Sequence, residues 1–114
     1  MENSKKLYIL WTNGDAITSE KMVNMYAKNS LIHGWWEEVT LIVWGGATKL
    51  LAENKKIQEQ IKENIEAGVK MTACKACAEE LGVADKLLDL GVELKYWGKP
   101  LTKVIKSDDE LITI

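Results

Sequence analysis

The chain has 114 residues, which is enough for one domain with its own core. Hydrophobic residues make up 46% and charged residues 28%, an ordinary balance for a globular protein, and no apolar run approaches the length of a membrane span. The net charge of −2 comes from interspersed lysines and acidic residues with no basic stripe and no arginine, so neither a nucleic-acid footprint nor bidentate guanidinium recognition of anions is available.

Strands and helices alternate along the chain. Leu7-Tyr8-Ile9-Leu10-Trp11 is a nearly continuous apolar run, the pattern of a strand buried on both faces. Asn13-Gly14-Asp15 breaks it. Met22, Val23, Tyr26, Ala27 and Ser30 recur at helical spacing and predict a helix from about Ser19 to His33, stopped by Gly34. Val39–Trp44 is a second buried strand, closed by Gly45-Gly46. A longer amphipathic helix is expected from about Lys49 to Glu66, with Asn54 placed to interrupt it and Gly68 to end it.

Val69–Ala73 is the third strand. It delivers Cys74-Lys75-Ala76-Cys77, which contains the only two cysteines, to a short helical pattern ending at Gly82. A second short helix covers Ala84–Leu90, and Val92–Tyr96 alternates as a fourth strand. Pro100 opens a helix through Lys106, and Leu111–Ile114 is a fifth, edge strand. The order implies a single α/β domain, a three-layer sandwich around a mostly parallel five-stranded sheet. A flavodoxin-like strand order 2-1-3-4-5 is the expectation. It makes the loops after strands 1 and 3, Asn13–Asp15 and Cys74, direct neighbours at a switch point where ligands bind.

The Cys-x-x-Cys pair carries the chemistry. A thiolate is the nucleophile, and a helix N-terminus with Lys75 alongside lowers a thiol pKa. Cys74, first past the strand, is expected to be the exposed nucleophile, with Cys77 one turn deeper. Asp15 reads as a helix cap or as an acceptor near the thiol. Gly45 and Gly46 match no phosphate-loop spacing and read as a turn that lines the site. A structural zinc site needs about four ligands, and the single histidine, His33, is remote and better placed as a helix end, so neither a metal nor a cofactor is expected. A thioredoxin-like dithiol pair and an inert pair of small apolar residues are the alternatives. Residues 1–6 lack the apolar core of an export signal, which points to the cytoplasm, where thiols stay reduced. Five tryptophans with no phenylalanine exceed the needs of so small a core and suggest self-association.

The third strand leading to Cys74-Lys75-Ala76-Cys77, with Gly82-Val83 following, resembles the DsrE/DsrF-like family, which includes sulfur-relay proteins and YchN-type small proteins. Gly34–Thr40 and Lys49–Glu53 look like segments of uncharacterised prokaryotic members. The resemblance implies the DsrE-like fold and a homotrimer or homohexamer. It also implies a sulfur-carrier or sulfurtransferase role in which Cys74 holds sulfur as a persulfide between donor and acceptor proteins. Cys77 belongs to the YchN-type pattern. A module of the same fold that binds a small ligand or a protein, with inert cysteines, is the other reading.

Overall fold

The computed structural model describes residues 5–114, so residues 1–4, on which the reading of the export signal partly rests, lie outside it. Five parallel strands form one sheet: β1 (Lys6–Trp11), β2 (Glu38–Val43), β3 (Lys70–Cys74), β4 (Glu93–Lys95) and β5 (Glu110–Thr113). Their order is β4-β3-β2-β1-β5. The expected flavodoxin-like order is therefore wrong in two respects: β2 lies between β1 and β3 rather than at an edge, and β5 pairs with β1 rather than with β4. The side chains of β2 agree with its place, since Val39 through Val43 are all buried.

Crossover geometry explains the difference. A right-handed crossover that steps one way across a sheet puts its helix on one face, and a reversed step puts it on the other. The connections β1→β2→β3→β4 all step in the same direction. Their helices all cover one face: α1 (Ala16–Thr18) and α2 (Met25–Ile32), then α3 (Gly46–Glu53) and α4 (Lys55–Ala67), then α5 (Lys75–Glu80) and α6 (Ala84–Asp89). Only the return to β5 reverses, and it carries α7 (Gly98–Lys106) to the opposite face. An amphipathic pattern says that a helix has an apolar side but not which sheet face it covers.

The strands alternate accordingly. Leu7, Ile9, Trp11, Val39, Leu41, Val43, Met71 and Ala73 join Val23, Ala27, Leu51, Ile57, Ile61 and Leu87 in the main core. The smaller core on the other face holds Ile42, Trp97 and Val104, flanked by Tyr8, Leu10, Trp44, Leu101 and Leu111. The outer layers are thus unequal. Of the tryptophans, Trp11 and Trp97 are buried and Trp36 and Trp44 half-buried, while Trp35 is 58% exposed.

Two local departures have identifiable causes. The first helix begins at Ala16, earlier than expected, and passes through a π-helical segment, Ser19–Asn24, before α2. Asn24 is fully buried there, and its Nδ2 donates to the Ser19 carbonyl at 3.0 Å. Asn64 Nδ2 donates to Asn24 Oδ1 at 3.0 Å, and Trp11 Nε1 donates to Ser19 Oγ at 2.9 Å. A buried amide that takes a carbonyl five residues back supports the wider turn, because it competes with the α-helical ladder. The expected long helix is broken at Asn54, whose Oδ1 accepts from the Ile57 N–H at 3.0 Å and so caps α4.

Two glycines make opposite predictions. Gly91 has φ 90°, and a Cβ there meets Ile65 Cδ1 at 3.2 Å. Gly91→Ala is expected to cost about 1–2 kcal/mol in denaturant unfolding. Gly98 opens α7 with nothing within 4 Å of an added Cβ, so Gly98→Ala is expected to gain about 0.5 kcal/mol.

Candidate functional site

The carboxyl ends of β1, β2 and β3 stand side by side in that order. The loops after β1 and β2 are fastened together. Ala47 N–H donates to the Thr12 carbonyl at 3.2 Å, and a Cβ built on Gly46 lies only 3.3 Å from the same oxygen. Gly14 lies against Gly46 in turn. Gly45 has φ 59° and precedes the first turn of α3, a conformation that favours glycine. The expected direct contact between the Asn13–Asp15 loop and the cysteine strand is therefore replaced. Gly45 and Gly46 stand between them, and the strands that carry the two loops are two spacings, roughly 10 Å, apart.

Asn13 and Asp15 have structural tasks. Asn13 Oδ1 accepts from the Asp15 N–H at 2.6 Å, and its carbonyl accepts from Ser19 Oγ at 3.1 Å. Asp15 caps α1, its Oδ2 accepting from the Thr18 N–H at 2.8 Å. That bond holds the Asp15 carboxyl below its usual range.

Cys74 is the last residue of β3 and the N-cap of α5, and Cys77 lies in the first turn of that helix. Both thiols are free. Their exposure is the reverse of the expectation. Cys74 is only 4% exposed, whereas Cys77 is half-buried and lines a cavity of about 330 Å³ with Gly45, Gly46, Lys49, Glu80 and Leu81. The physical reason is that Cys74 belongs to two elements at once: it is the last residue of β3, in register with Lys95 of β4, and it is also the N-cap of α5. One helical turn then turns Cys77 toward the N-terminus of α3.

The expected lowering of the Cys74 pKa is also overturned. Burial pushes the Cys74 thiol above its usual value, which outweighs the Cys77 and Ala76 backbone N–H groups that favour its thiolate. The adjacent Cys77 thiol pushes it further up. Those N–H groups lie near the sulfur without forming a capping hydrogen bond. Lys75 does not supply the anticipated charge: its Nζ lies 5.2 Å from the Tyr96 ring centroid. The Tyr96 hydroxyl donates to Glu79 Oε1 at 3.1 Å.

The cavity brings together Cys77, Gly45 and Gly46 from the expected set and leaves out Cys74, Asn13, Gly14, Asp15 and Lys75. Lys49, Glu80 and Leu81 were missed by the sequence reading. Helical spacing signals each of them: Lys49 lies three residues past Gly46, and Glu80 and Leu81 lie three and four past Cys77. Among the described residues, no cluster of three or more His, Cys, Asp or Glu is arranged to hold a metal, and no helix is long and apolar enough to cross a membrane. His33 caps the end of α2 and stacks on Trp35 at 5.2 Å. A larger cavity of about 420 Å³ lies on the sheet face beside Trp97, but charges there are already paired, with Lys70 Nζ 2.6 Å from Glu38 Oε1.

Burial and access make a kinetic prediction. With a bulky alkylating reagent at neutral pH, Cys74→Ser, which keeps Cys77, is expected to label at least about tenfold faster than Cys77→Ser. Labelling of Cys77→Ser is expected to rise only above the usual thiol range, because Cys74 must first ionise against its burial.

The DsrE/DsrF-like family matches residues 5–114. No curated protein matches the sequence. Among solved structures, a conserved protein of unknown function, BT1422 from Bacteroides thetaiotaomicron, is 38% identical, covers 96% of this chain and 95% of its own, and superposes with a TM-score of 0.94. The YchN protein of E. coli shares the fold, with a TM-score of 0.67 at 14% identity over 98% of this chain and 100% of its own. With its family match spanning nearly the whole domain, this chain belongs to the DsrE/DsrF-like family.

Proposed function

We propose that the protein handles sulfur in a reducing, cytoplasmic compartment and that Cys77 is the thiol that holds it. The observation that carries this reading is the division within the pair: Cys77 lines the open cavity, while Cys74 is buried and does not. The membership of the chain in a family with sulfur-relay members supports the same chemistry.

The step is an exchange between sulfurs. The Cys77 thiolate attacks the outer sulfur of a donor persulfide. A bond forms between Cys77 Sγ and that sulfur, the donor's S–S bond breaks, and the donor leaves as a thiolate that takes up a proton. No net oxidation occurs. An acceptor thiolate then attacks the same outer sulfur and returns Cys77 to its thiol. Gly45 and Gly46 leave one wall without side chains, which suits the approach of a donor or acceptor chain. Leu81, 48% exposed, offers an apolar rim, and Lys49 and Glu80 give charges of both signs.

Exposure to a small alkyl persulfide is the direct test. Cys74→Ser is expected to gain the mass of one sulfur and to pass it to an added thiol, and Cys77→Ser to gain none. Sulfur on Cys77→Ser but not on Cys74→Ser refutes the assignment, and no uptake by either variant refutes the function.

Self-association is proposed on narrower ground than the tryptophan count. Trp35 is the exposed tryptophan, and it shares an apolar surface with Met22, Met25 and Tyr26. Sedimentation at micromolar concentration is expected to give a trimer or hexamer, shifted toward monomer by Trp35→Glu. A monomer at the sequence mass contradicts it.

A further inference from the structure

We propose that Cys74 is a resolving thiol: it discharges the sulfur held on Cys77 as sulfide and leaves a Cys74–Cys77 disulfide. This rests on the proposed function, since it concerns the fate of a persulfide on Cys77. Sulfur transfer to an acceptor needs one cysteine. The second, placed where no donor reaches it, has no part in that exchange.

The geometry gives Cys74 a partner and only one. Residues three apart around the first turn of a helix have Cβ atoms about 5–6 Å apart, and a disulfide needs about 3.5–4.5 Å, so a small side-chain and backbone adjustment closes the gap. Cys74 caps the helix whose first turn holds Cys77, and the neighbouring Cys77 thiol raises the Cys74 pKa. Cys74 is buried at the strand end and does not line the cavity, whereas Cys77 does. A bulky donor or oxidant meets Cys77 first, and the sulfur nearest to Cys74 is then Cys77 Sγ. The Cys77 and Ala76 N–H groups beside Cys74 stabilise its thiolate once it forms.

Atoms and electrons balance without an added oxidant. The Cys74 thiolate attacks Cys77 Sγ of the persulfide, the bond from Sγ to the outer sulfur breaks, and the outer sulfur leaves with the electron pair as hydrosulfide. The proton from the Cys74 thiol ends on that sulfide. The outer sulfur is reduced to sulfide while the two cysteines are oxidised to a disulfide, and a low-molecular-weight cellular thiol reduces the disulfide to restart the cycle.

Burial of Cys74 also sets the order of events. Its thiol is held above the usual range, so at neutral pH little thiolate is present and loading precedes discharge. Raising the pH increases the thiolate fraction and shortens the persulfide lifetime.

The test loads wild type, Cys74→Ser and Cys74→Ala with a small alkyl persulfide, removes the excess, and follows intact mass and released sulfide. Wild type is expected to gain one sulfur transiently, then to end two hydrogens lighter than the reduced protein with about one equivalent of sulfide released. Both Cys74 variants are expected to keep the sulfur at least about tenfold longer, and only wild type is expected to discharge faster from about pH 7 to about pH 9. Equal lifetimes in all three, or a wild type that holds its sulfur without forming the disulfide, overturns the resolving role and leaves the carrier reading intact. Failure of both Cys74 variants to take up any sulfur overturns the carrier reading and this inference with it.

Discussion

Three successive crossovers that step the same way across the sheet are the constraint on which the rest depends. They put the helices from α1 through α6 on one face and leave only α7 for the other. They also set the carboxyl ends of β1, β2 and β3 in a row, so that the site is a line of loops rather than a crevice at a reversal. The middle loop, Gly45-Gly46, carries the spatial logic: it accepts the β1 loop on one side and faces Cys77 on the other.

The same constraint decides which thiol is presented. β3 ends at Cys74, which is in register with Lys95 of β4, caps α5 and is buried there. Only after one turn of α5 does a cysteine side chain reach the open edge. Desolvation at Cys74 outweighs the nearby N–H groups of the helix terminus. A helix N-terminus is thus a partial charge whose effect depends on how much water the thiol loses to reach it, and here the loss wins. Lys75 is engaged with Tyr96 and does not reverse that outcome.

Much of the fold was legible in residues. Continuous apolar runs marked β1 and β2, and glycines at 34, 68, 82 and 91 marked the ends of helical segments, each with positive φ. Asn54 signalled the break between α3 and α4 because an asparagine that caps one helix ends another. The strand order was not legible, because it depends on which sheet face each amphipathic helix covers, and hydrophobic periodicity is the same for either face. The π-helical turn was hidden as well, since it rests on a buried polar chain from Trp11 through Ser19 and Asn24 to Asn64 that links residues far apart in sequence. The cysteine pair stood out at once, but the ranking of its members did not. Position at a strand end suggested exposure, whereas the first cysteine sits where the end of β3, paired with β4, meets the first turn of α5, and it is buried there.

The most direct measurement is site-resolved labelling of the unsubstituted protein. A limiting amount of a bulky methanethiosulfonate at neutral pH lets the two thiols compete within one folded molecule, and peptide mapping reads the winner. This account predicts the adduct on Cys77, with Cys74 unmodified or joined to Cys77 as a disulfide after displacing the label. An adduct found first on Cys74 contradicts it.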